Sequence, residues 1–292
     1  EELKEFGFVS CVLMNVLDEH GLKTLFAQER FDCVFHAAAF KHVSVVEHNP
    51  IQGIQNNALG TYRVAQAAIN HQVPRFVLVS TDKAVNPTNV MGASKRFCEL
   101  MVALLGAHHM QTDFITTRFS NVLGSNGSVI PIFRKQIEAG GPITLTHPEI
   151  TRYFMTIPEA CQLVLEAGSM GAGGEIYIFD MGESVKIIDV ARKMIKLSGL
   201  ELGKDIQIEI SGLRPGEKLY EELLSDAENT LPTHHSKIKI AKIEAQSHAH
   251  IQSEFEKLLV AFNQNNHLVL VAQIKSLVKE YVSNNSVYET LD

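Results

Sequence analysis

The sequence contains no tryptophan, few cysteines and no excess of positive charge. The absence of tryptophan says nothing about function. The four cysteines (Cys11, Cys33, Cys98 and Cys161) are widely spaced and form no Cys-x-x-Cys pair, which argues against a disulfide framework or a cysteine-based metal site and favours reduced thiols in a cytosolic protein. The net charge of −7 argues against binding to nucleic acid, because nucleic-acid-binding proteins usually present a basic face.

Long apolar runs are also absent. A helix needs roughly 20 apolar residues to cross a bilayer, and no run approaches that length; no secretory signal precedes the fold. The histidine clusters at 108–109, 234–235 and 248–250 lack carboxylate or cysteine partners at ligand spacing, so we expect no metal site. We expect a cytoplasmic protein, at the inner face of the membrane if this sequence is part of a longer chain.

The composition that is present is typical of a globular protein. Its 292 residues are 45% hydrophobic and 20% charged, enough for one large or two modest domains. Runs rich in β-branched residues alternate with amphipathic stretches, and they predict strands over 8–16, 31–38, 75–81, 113–120 and 175–181 and helices over 19–29, 50–71, 91–107 and 129–139. Apolar strands separated by helices indicate a parallel sheet covered on both faces. The predicted fold class is therefore α/β, a doubly wound Rossmann-like sheet.

The pattern changes after about residue 140. Helices are predicted over 158–168 and 185–198, a strand over 206–211, and two amphipathic helices within the last fifty residues. We therefore divide the chain into a Rossmann-like core (1–140, joined by segments near 175–190), a smaller lobe (141–245) and a C-terminal helical extension (246–292).

Polar and small residues follow the predicted strands, at the end where ligands of doubly wound folds bind. Three alanines in "HAAAFKHV" (36–43) let a ligand approach the backbone, although a tightly packed turn would need them too. Asn57 can hydrogen-bond to the neighbouring strand end, a duty that can be purely structural. "STDK" (80–83) precedes a helix on which Met91 and Lys95 share one face. A lysine there can bind a ribose beside a nicotinamide; a solvated surface lysine is the alternative.

A set of collinear motifs over about residues 8–240 then carries a family resemblance: "FHAAAFKHV", "NNALGT", "STDKAVNPTNVMGASKR", "TRFSNVLGSNGSVIPIF", "THPEITRYFMTIPEA" and "GLRPGEKLYEELL". Together they resemble the polysaccharide-biosynthesis branch of the extended short-chain dehydrogenase/reductases, which includes the UDP-N-acetylglucosamine 4,6-dehydratases. Met91 stands where many nicotinamide enzymes have tyrosine, and this feature resembles the sub-branch of large membrane-associated dehydratases.

The resemblance implies an NAD-dependent lyase that acts on a UDP-N-acetylhexosamine, foremost UDP-GlcNAc, for surface glycan synthesis. The sugar is oxidised at C4, water is eliminated across C5 and C6, and the hydride returns to C6. In the implied roles Thr81 bonds the C4 hydroxyl, Asp82 protonates the departing 6-hydroxyl and Lys83 removes the C5 proton, while Lys95 holds the nicotinamide ribose. These roles need a raised pKa for Asp82 and a lowered pKa for Lys83.

The remaining contacts are also implied by the resemblance. The implied cofactor-binding residues are Asn15, Ala37, Ala38, Ala39, Asn57, Ser80, Lys95 and Asn121. The implied substrate-binding residues are Lys41, Asn121, Val129, Ile130, Phe133, Arg152, Arg214 and Glu217. A guanidinium suits a diphosphate because it donates two parallel hydrogen bonds, although a surface salt bridge is the alternative for either arginine. We also expect a homo-oligomer.

The sequence departs from this family at its start. The glycine-rich turn that binds the pyrophosphate after the first strand is missing, and the segment 8–16 resembles the family's third strand. The strands between it and 31–38 are absent, which would expose 31–38 as an apolar sheet edge. The sequence is then either a fragment of a longer product, whose N-terminal part could include a membrane anchor, or a shortened relative that has lost tight NAD binding.

Two other functions remain open. A UDP-sugar 4-epimerase of the same superfamily would need a tyrosine at position 91 and would have no use for an Asp-Lys acid–base pair. A catalytically impaired sugar-nucleotide-binding module is favoured only by the missing glycine-rich turn.

Overall fold

A central sheet of six strands organises the protein, for which a computed structural model describes residues 9–224, 229–242 and 248–292. The strands in these ranges are β1 (Cys33–His36), β2 (Arg75–Val79), β3 (Asp113–Arg118), β4 (Asn121–Val122), β5 (Ile143–Leu145), β6 (Thr151–Arg152), β7 (Phe154–Met155), β8 (Ile176–Phe179), β9 (Val185–Lys186), β10 (Ile208–Ile210), β11 (Asn229–Pro232) and β12 (Ile238–Lys242). The central sheet has the order β1-β2-β3-β8-β12-β11. Its first four strands are parallel, whereas β12 and β11 are antiparallel additions.

Helices connect these strands and cover both faces of the sheet. The helices are α1 (Glu19–Gln28), α2 (Val43–His48), α3 (Pro50–Ile54), α4 (Gly60–Asn70), α5 (Val90–His108), α6 (Val129–Glu138), α7 (Ile157–Met170), α8 (Ile187–Leu197), α9 (His248–Phe262) and α10 (His267–Leu277). A π-helical turn, Gln55–Leu59, joins α3 to α4, so the helix predicted over 50–71 is confirmed as one continuous segment with a local widening. None of the helices in the described ranges is long and apolar enough to cross a membrane.

The strand predicted over 8–16 is wrong in its described part. Residues 9–15 form an irregular segment that runs into α1, and Val12 and Leu13 on it are exposed. The apolar, β-branched sequence predicted a strand, but a strand requires a neighbouring backbone to accept its hydrogen bonds. Within the described residues β1 pairs only with β2, so β1 is a sheet edge, as expected, and Phe35 on it is 45% exposed.

The strands of the sheet bury side chains on both faces, which confirms the doubly wound α/β class. Phe76 and Phe114 point to the side of α5, while Val77 and Ile115 pack on the opposite side with α7. The C-terminal helices α9 and α10 extend the layer that contains α5, where Phe255 lies 5.6 Å from Phe97 between ring centroids.

A separate apolar cluster lies away from the two faces of the main sheet. It contains residues of α6, α8 and the parallel pair β5–β10, with Phe133, Ile143 and Ile187 among its buried members. Most of its residues fall within the range 141–245 that the sequence assigned to a smaller lobe, although α6, which belongs to the cluster, precedes that boundary. The division of the chain into domains stays a prediction.

Candidate active site

A cavity of about 240 Å³ opens at the carboxyl ends of the parallel strands, the edge where doubly wound folds bind ligands. The segments that follow β1, β2 and β3, together with helix α5, contribute residues to it. The predicted site residues among those lining it are Ala37, Ala39, Lys41, Ser80, Thr81, Lys83, Met91, Lys95 and Asn121. The fold therefore brings together residues that are far apart in the chain and that the sequence had singled out separately.

Two further cavities extend this one toward the smaller lobe. The second, of about 180 Å³, shares Lys83 with the first and is also lined by Arg152, Arg214 and Glu217. The third, of about 240 Å³, shares these last three residues with the second and Asn121 with the first. We refer to the three cavities together as the cleft.

The turn after β2 presents the Thr-Asp-Lys triplet to the cleft. Thr81 ends the extended segment and residues Asp82–Ala84 form a single 3₁₀ turn. The Thr81 hydroxyl donates to Asp82 Oδ1 at 2.9 Å, and Lys83 Nζ donates to the same oxygen at 3.0 Å. Thr81 and Lys83 line the first cavity, whereas Asp82 is fully buried beneath them. Asp82 Oδ2 is buried without a hydrogen-bond partner in the described residues.

The environment of Lys83 corrects one expectation. Burial lowers the pKa of the Lys83 amine, but the carboxylates of Asp82 and Glu221 raise it more, so that the pKa lies above its ordinary value. Glu221 Oε1 is 3.4 Å from Lys83 Nζ. The sequence analysis required a lowered pKa for Lys83 as a base, and this direction was wrong. Glu221, which is distant in sequence, adds its charge to that of Asp82.

Helix α5 is held directly against this turn. Asn89 caps the helix by accepting a hydrogen bond from Gly92 N at 2.8 Å. A side chain at Gly92 would overlap the backbone carbonyl of Lys83, so only glycine allows this close approach. Met91 and Lys95 consequently face the cavity together, and burial lowers the pKa of the Lys95 amine. Sequence reasoning missed Gly92, although its place inside "MGASK" was a usable signal.

A buried ionic network supports the floor of the site. The Ser80 hydroxyl donates to Glu99 Oε1 at 2.6 Å, and Arg118 Nη2 donates to Glu99 Oε2 at 2.7 Å. Burial raises the pKa of Glu99, but Arg118, together with Arg96, outweighs it and lowers this pKa to about 2. Ser80 lines the cavity as predicted, yet its hydroxyl proton is engaged with Glu99. Glu99 and Arg118 gave no signal in the sequence because nothing local pairs them.

Asn57 has a structural duty at the loop after β1. It is fully buried, its Oδ1 accepts from Phe40 N at 2.7 Å, and its Nδ2 donates to Phe40 O at 3.1 Å and to Ser94 Oγ at 3.0 Å. This geometry favours the structural alternative for Asn57. It fixes the loop so that Ala37 and Ala39 line the cavity, whereas Ala38 is not among the lining residues.

Two further predicted residues do not line the cleft. Asn15 is exposed, does not line the cleft, and accepts a hydrogen bond from Leu17 N at 2.9 Å ahead of α1. Ile130 is half-buried on α6 and does not line the cleft, although Val129 and Phe133 on the same helix do.

Arg152 is already engaged with protein groups. Its guanidinium donates to the carbonyl oxygens of Thr151 at 2.7 Å and Lys218 at 2.9 Å, and it lies 3.5 Å from Glu221 Oε1. Arg214 is exposed at the cleft, and its backbone N–H donates to Glu217 Oε2 at 3.1 Å. Of the two arginines, Arg214 is the freer to meet a phosphate, and Arg152 mainly holds the segment that carries Glu221.

The cleft fits the nicotinamide half of a dinucleotide. Ala37 and Ala39 leave room beside the strand end, and the buried Lys95 amine faces that space. The sequence does contain glycines at Gly-x-x-Gly-x-x-Gly spacing, at 168, 171 and 174. They lie at the end of α7 and before β8, at the amino end of that strand. This is the edge of the sheet opposite to the cleft, so these glycines cannot bind a ligand in the cleft.

Comparison with known proteins gives the affiliation of the chain. Residues 2–243 match the family described as "Polysaccharide biosynthesis protein". The capsular polysaccharide biosynthesis protein CapD of Staphylococcus aureus is 52% identical over 235 residues, which are 80% of this chain and 39% of CapD. A UDP-glucose 4-epimerase of Rickettsia canadensis is 40% identical over 201 residues, 68% of this chain and 58% of the epimerase. This chain thus spans less than two thirds of the length of either relative.

Among solved structures, Pen from Bacillus thuringiensis superimposes with a TM-score of 0.74 and 32% identity, covering 90% of this chain and 85% of Pen. The chain belongs to the polysaccharide-biosynthesis branch of the extended short-chain dehydrogenase/reductases.

Proposed function

We propose that this chain carries the catalytic part of an NAD-dependent nucleotide-sugar 4,6-dehydratase that converts a UDP-N-acetylhexosamine, foremost UDP-GlcNAc, into its 4-keto-6-deoxy form for surface polysaccharide synthesis. The observation that supports the proposal best is the composition of the first cavity. Thr81, Lys83 and Lys95 face one space, and Met91, whose thioether cannot exchange a proton, occupies the helix position of a tyrosine. An acid–base group at the strand end is what a dehydratase needs.

When bound, NAD supplies a reversible hydride acceptor beside the sugar C4. Lys95 would hold the nicotinamide ribose by hydrogen bonds from its amine to the ribose hydroxyls. Thr81 bonds the C4 hydroxyl, and its own bond to Asp82, 2.9 Å long, is a route by which the C4 hydroxyl proton reaches Asp82. Asp82 delivers this proton to the departing 6-hydroxyl, which leaves as water. Lys83 removes the C5 proton and later returns it, so protons balance over the cycle.

Lys83 must be neutral to act as this base. Because Asp82 and Glu221 raise its pKa, the free amine forms mainly at alkaline pH, or once one of the two carboxylates is neutral. Protonation of Asp82 by the C4 hydroxyl proton removes one of these charges during turnover. The oxidation step thus favours the base form of Lys83 at the moment when the C5 proton becomes acidic.

A UDP-sugar 4-epimerase is the second candidate function, because the relative from Rickettsia canadensis bears that name. An epimerase moves the C4 hydroxyl proton through a group on the helix, and Met91 has no proton to move. A catalytically impaired sugar-nucleotide-binding module is the third alternative that the experiment below separates.

Incubation of the purified chain with UDP-GlcNAc and NAD separates these functions by product. We expect UDP-4-keto-6-deoxy-HexNAc, detected by mass spectrometry, and a loss of rate of about 10²-fold or more in Lys83→Met, because general base catalysis typically contributes this much. Lys204→Met, which changes a lysine exposed on the smaller lobe, is the matched control and should keep the rate.

Other outcomes would contradict the proposal. Formation of UDP-GalNAc would support the epimerase, and absence of turnover with retained UDP binding would support the binding module. The NAD content of the purified protein gives a separate measure of cofactor binding.

A further inference from the structure

Glu221 is a buried carboxylate in the cleft that the sequence analysis did not single out. Its Oε1 lies 3.4 Å from Lys83 Nζ and 3.5 Å from Arg152 Nε. The residue is 7% exposed and lines the second cavity beside Lys83. Its Oε2 is buried without a hydrogen-bond partner in the described ranges, a costly arrangement for a carboxylate that only held a fold together.

The charged groups that face Lys83 are Asp82 on its own turn, Glu221 from the segment after Lys218, and Arg152 from β6. The Lys83 amine lies between the two carboxylates, with Asp82 Oδ1 at 3.0 Å. Arg152 balances the second carboxylate and fixes its position. The side chain of Lys83 thereby lies where the first and second cavities meet.

We propose that Glu221 is a positioning residue of the acid–base group: it holds the Lys83 amine between the two cavities and sets the pH at which this amine becomes free to accept the sugar C5 proton. The inference rests on the proposed dehydratase function. Glu221 acts through Lys83 and does not itself touch the sugar. Deprotonation of Lys83 breaks one N–H bond and releases the proton to solvent, so the step needs no co-reactant.

The direction of the effect follows from charge. A nearby carboxylate favours the ammonium form, and an opposite charge within about 4–6 Å typically shifts a pKa by 1–3 units. Glu221→Gln removes that charge and keeps the shape of the side chain. The Lys83 amine then becomes neutral at lower pH.

The first test is the pH profile of kcat for dehydration. In E221Q the rise of kcat toward alkaline pH, the alkaline limb of the profile, should shift to lower pH by about 1–2 pH units. Glu222→Gln changes the neighbouring, exposed carboxylate that pairs with Lys218, and its limb should stay in place. Glu221→Asp keeps the charge and should keep the limb near its wild-type position. A fall in kcat at every pH with an unmoved limb in E221Q would overturn the proposal.

The second test does not depend on turnover. The rate at which acetic anhydride acylates Lys83, followed by peptide mass spectrometry over a pH series, reports the free amine directly. The midpoint should fall in E221Q and not in E222Q, and an unchanged midpoint in E221Q would overturn the proposal. A shifted midpoint in a chain that forms no keto sugar would instead overturn the dehydratase function and leave the coupling of Glu221 to Lys83 standing.

Discussion

Met91 lies on α5 at the position where the family resemblance implies a tyrosine in many nicotinamide enzymes. It is 3% exposed, lines the first cavity, and packs into the apolar cluster around α5. A thioether offers shape and polarisability but no exchangeable proton. Under the proposed function, proton transfer therefore falls to Thr81, Asp82 and Lys83, which lie on the turn after β2.

This assignment predicts that Met91→Leu keeps most of its activity. Leucine and methionine have similar volumes, so the free energy of unfolding should fall by less than about 1.5 kcal/mol and kcat should stay within about threefold. Steady-state kinetics with UDP-GlcNAc measure the second quantity. Lys95→Met, on the same face of α5, is the contrasting variant and should weaken NAD binding by tenfold or more. A hundredfold loss of kcat in Met91→Leu would show that Met91 has a chemical role.

At the scale of elements, the ionic network around Glu99 joins β2, β3 and α5. Glu99 lies on α5, and its carboxylate accepts hydrogen bonds from three side chains. They are Ser80 after β2, Arg118 at the end of β3, and Arg96 one turn earlier on the same helix. All of these groups are buried, so the attraction is weakly screened, but each charge has lost its hydration. The network keeps the strand ends and helix α5 in register.

Glu99→Gln is predicted to destabilise the protein by about 3–5 kcal/mol, because it leaves buried cationic charge without its carboxylate. Urea unfolding measures this change. Glu280→Gln removes the other carboxylate that bonds Arg96, at a partly exposed position, and should cost about 1 kcal/mol or less. Equal effects of the two substitutions would contradict a special role for the Glu99 network.

The same variant has a pH signature. The pKa of Glu99 is lowered from 4.5 to about 2, so the stability that its carboxylate contributes is complete above pH 4.5 and is lost as the pH falls toward 2. Glu99→Gln lacks this part of the acid dependence. The difference in unfolding free energy between wild type and variant should therefore shrink as the pH falls through this window.

At the scale of the whole molecule, three segments meet at Gly216. Its carbonyl accepts from Asn89 Nδ2 at 2.9 Å, at the start of α5, and its N–H donates to the carbonyl of Asn284 at 2.7 Å. The Asn284 N–H in turn donates to the carbonyl of Thr88 at 3.2 Å. The C-terminal segment thus ties the loop with Arg214 to the start of helix α5, a structural role that the sequence did not reveal.

Gly216→Ala tests this junction. Gly216 has a φ of +75°, and a side chain there would overlap Asn89, the residue that caps α5. Gly212→Ala is the matched control, since Gly212 has a φ of +86° but open space around it. Both variants should lose about 1–2 kcal/mol of stability from backbone strain. Only Gly216→Ala should also raise KM for the UDP-sugar and lower kcat, by about tenfold each; equal kinetics in the two variants would contradict the coupling.

Local sequence patterns predicted much of the fold. Periodicity identified α1, α5 and α6 and the strands β1, β2, β3 and β8 within a few residues, because the spacing of apolar residues along the chain marks the faces that these elements bury. The same patterns failed over 9–15, where a strand needs a partner backbone that the local residues do not supply.

The sequence by itself also determined which residue types surround the cleft: the strand-end triplet Thr81, Asp82 and Lys83, and the helix pair Met91 and Lys95. Only the tertiary structure decided how these groups are charged and held. The position of Glu221 beside Lys83, the network around Glu99 and the structural duty of Asn57 all join residues that are distant in sequence. Electrostatic energy and hydrogen bonding depend on separation in space, and that separation is set by the packing of the whole chain.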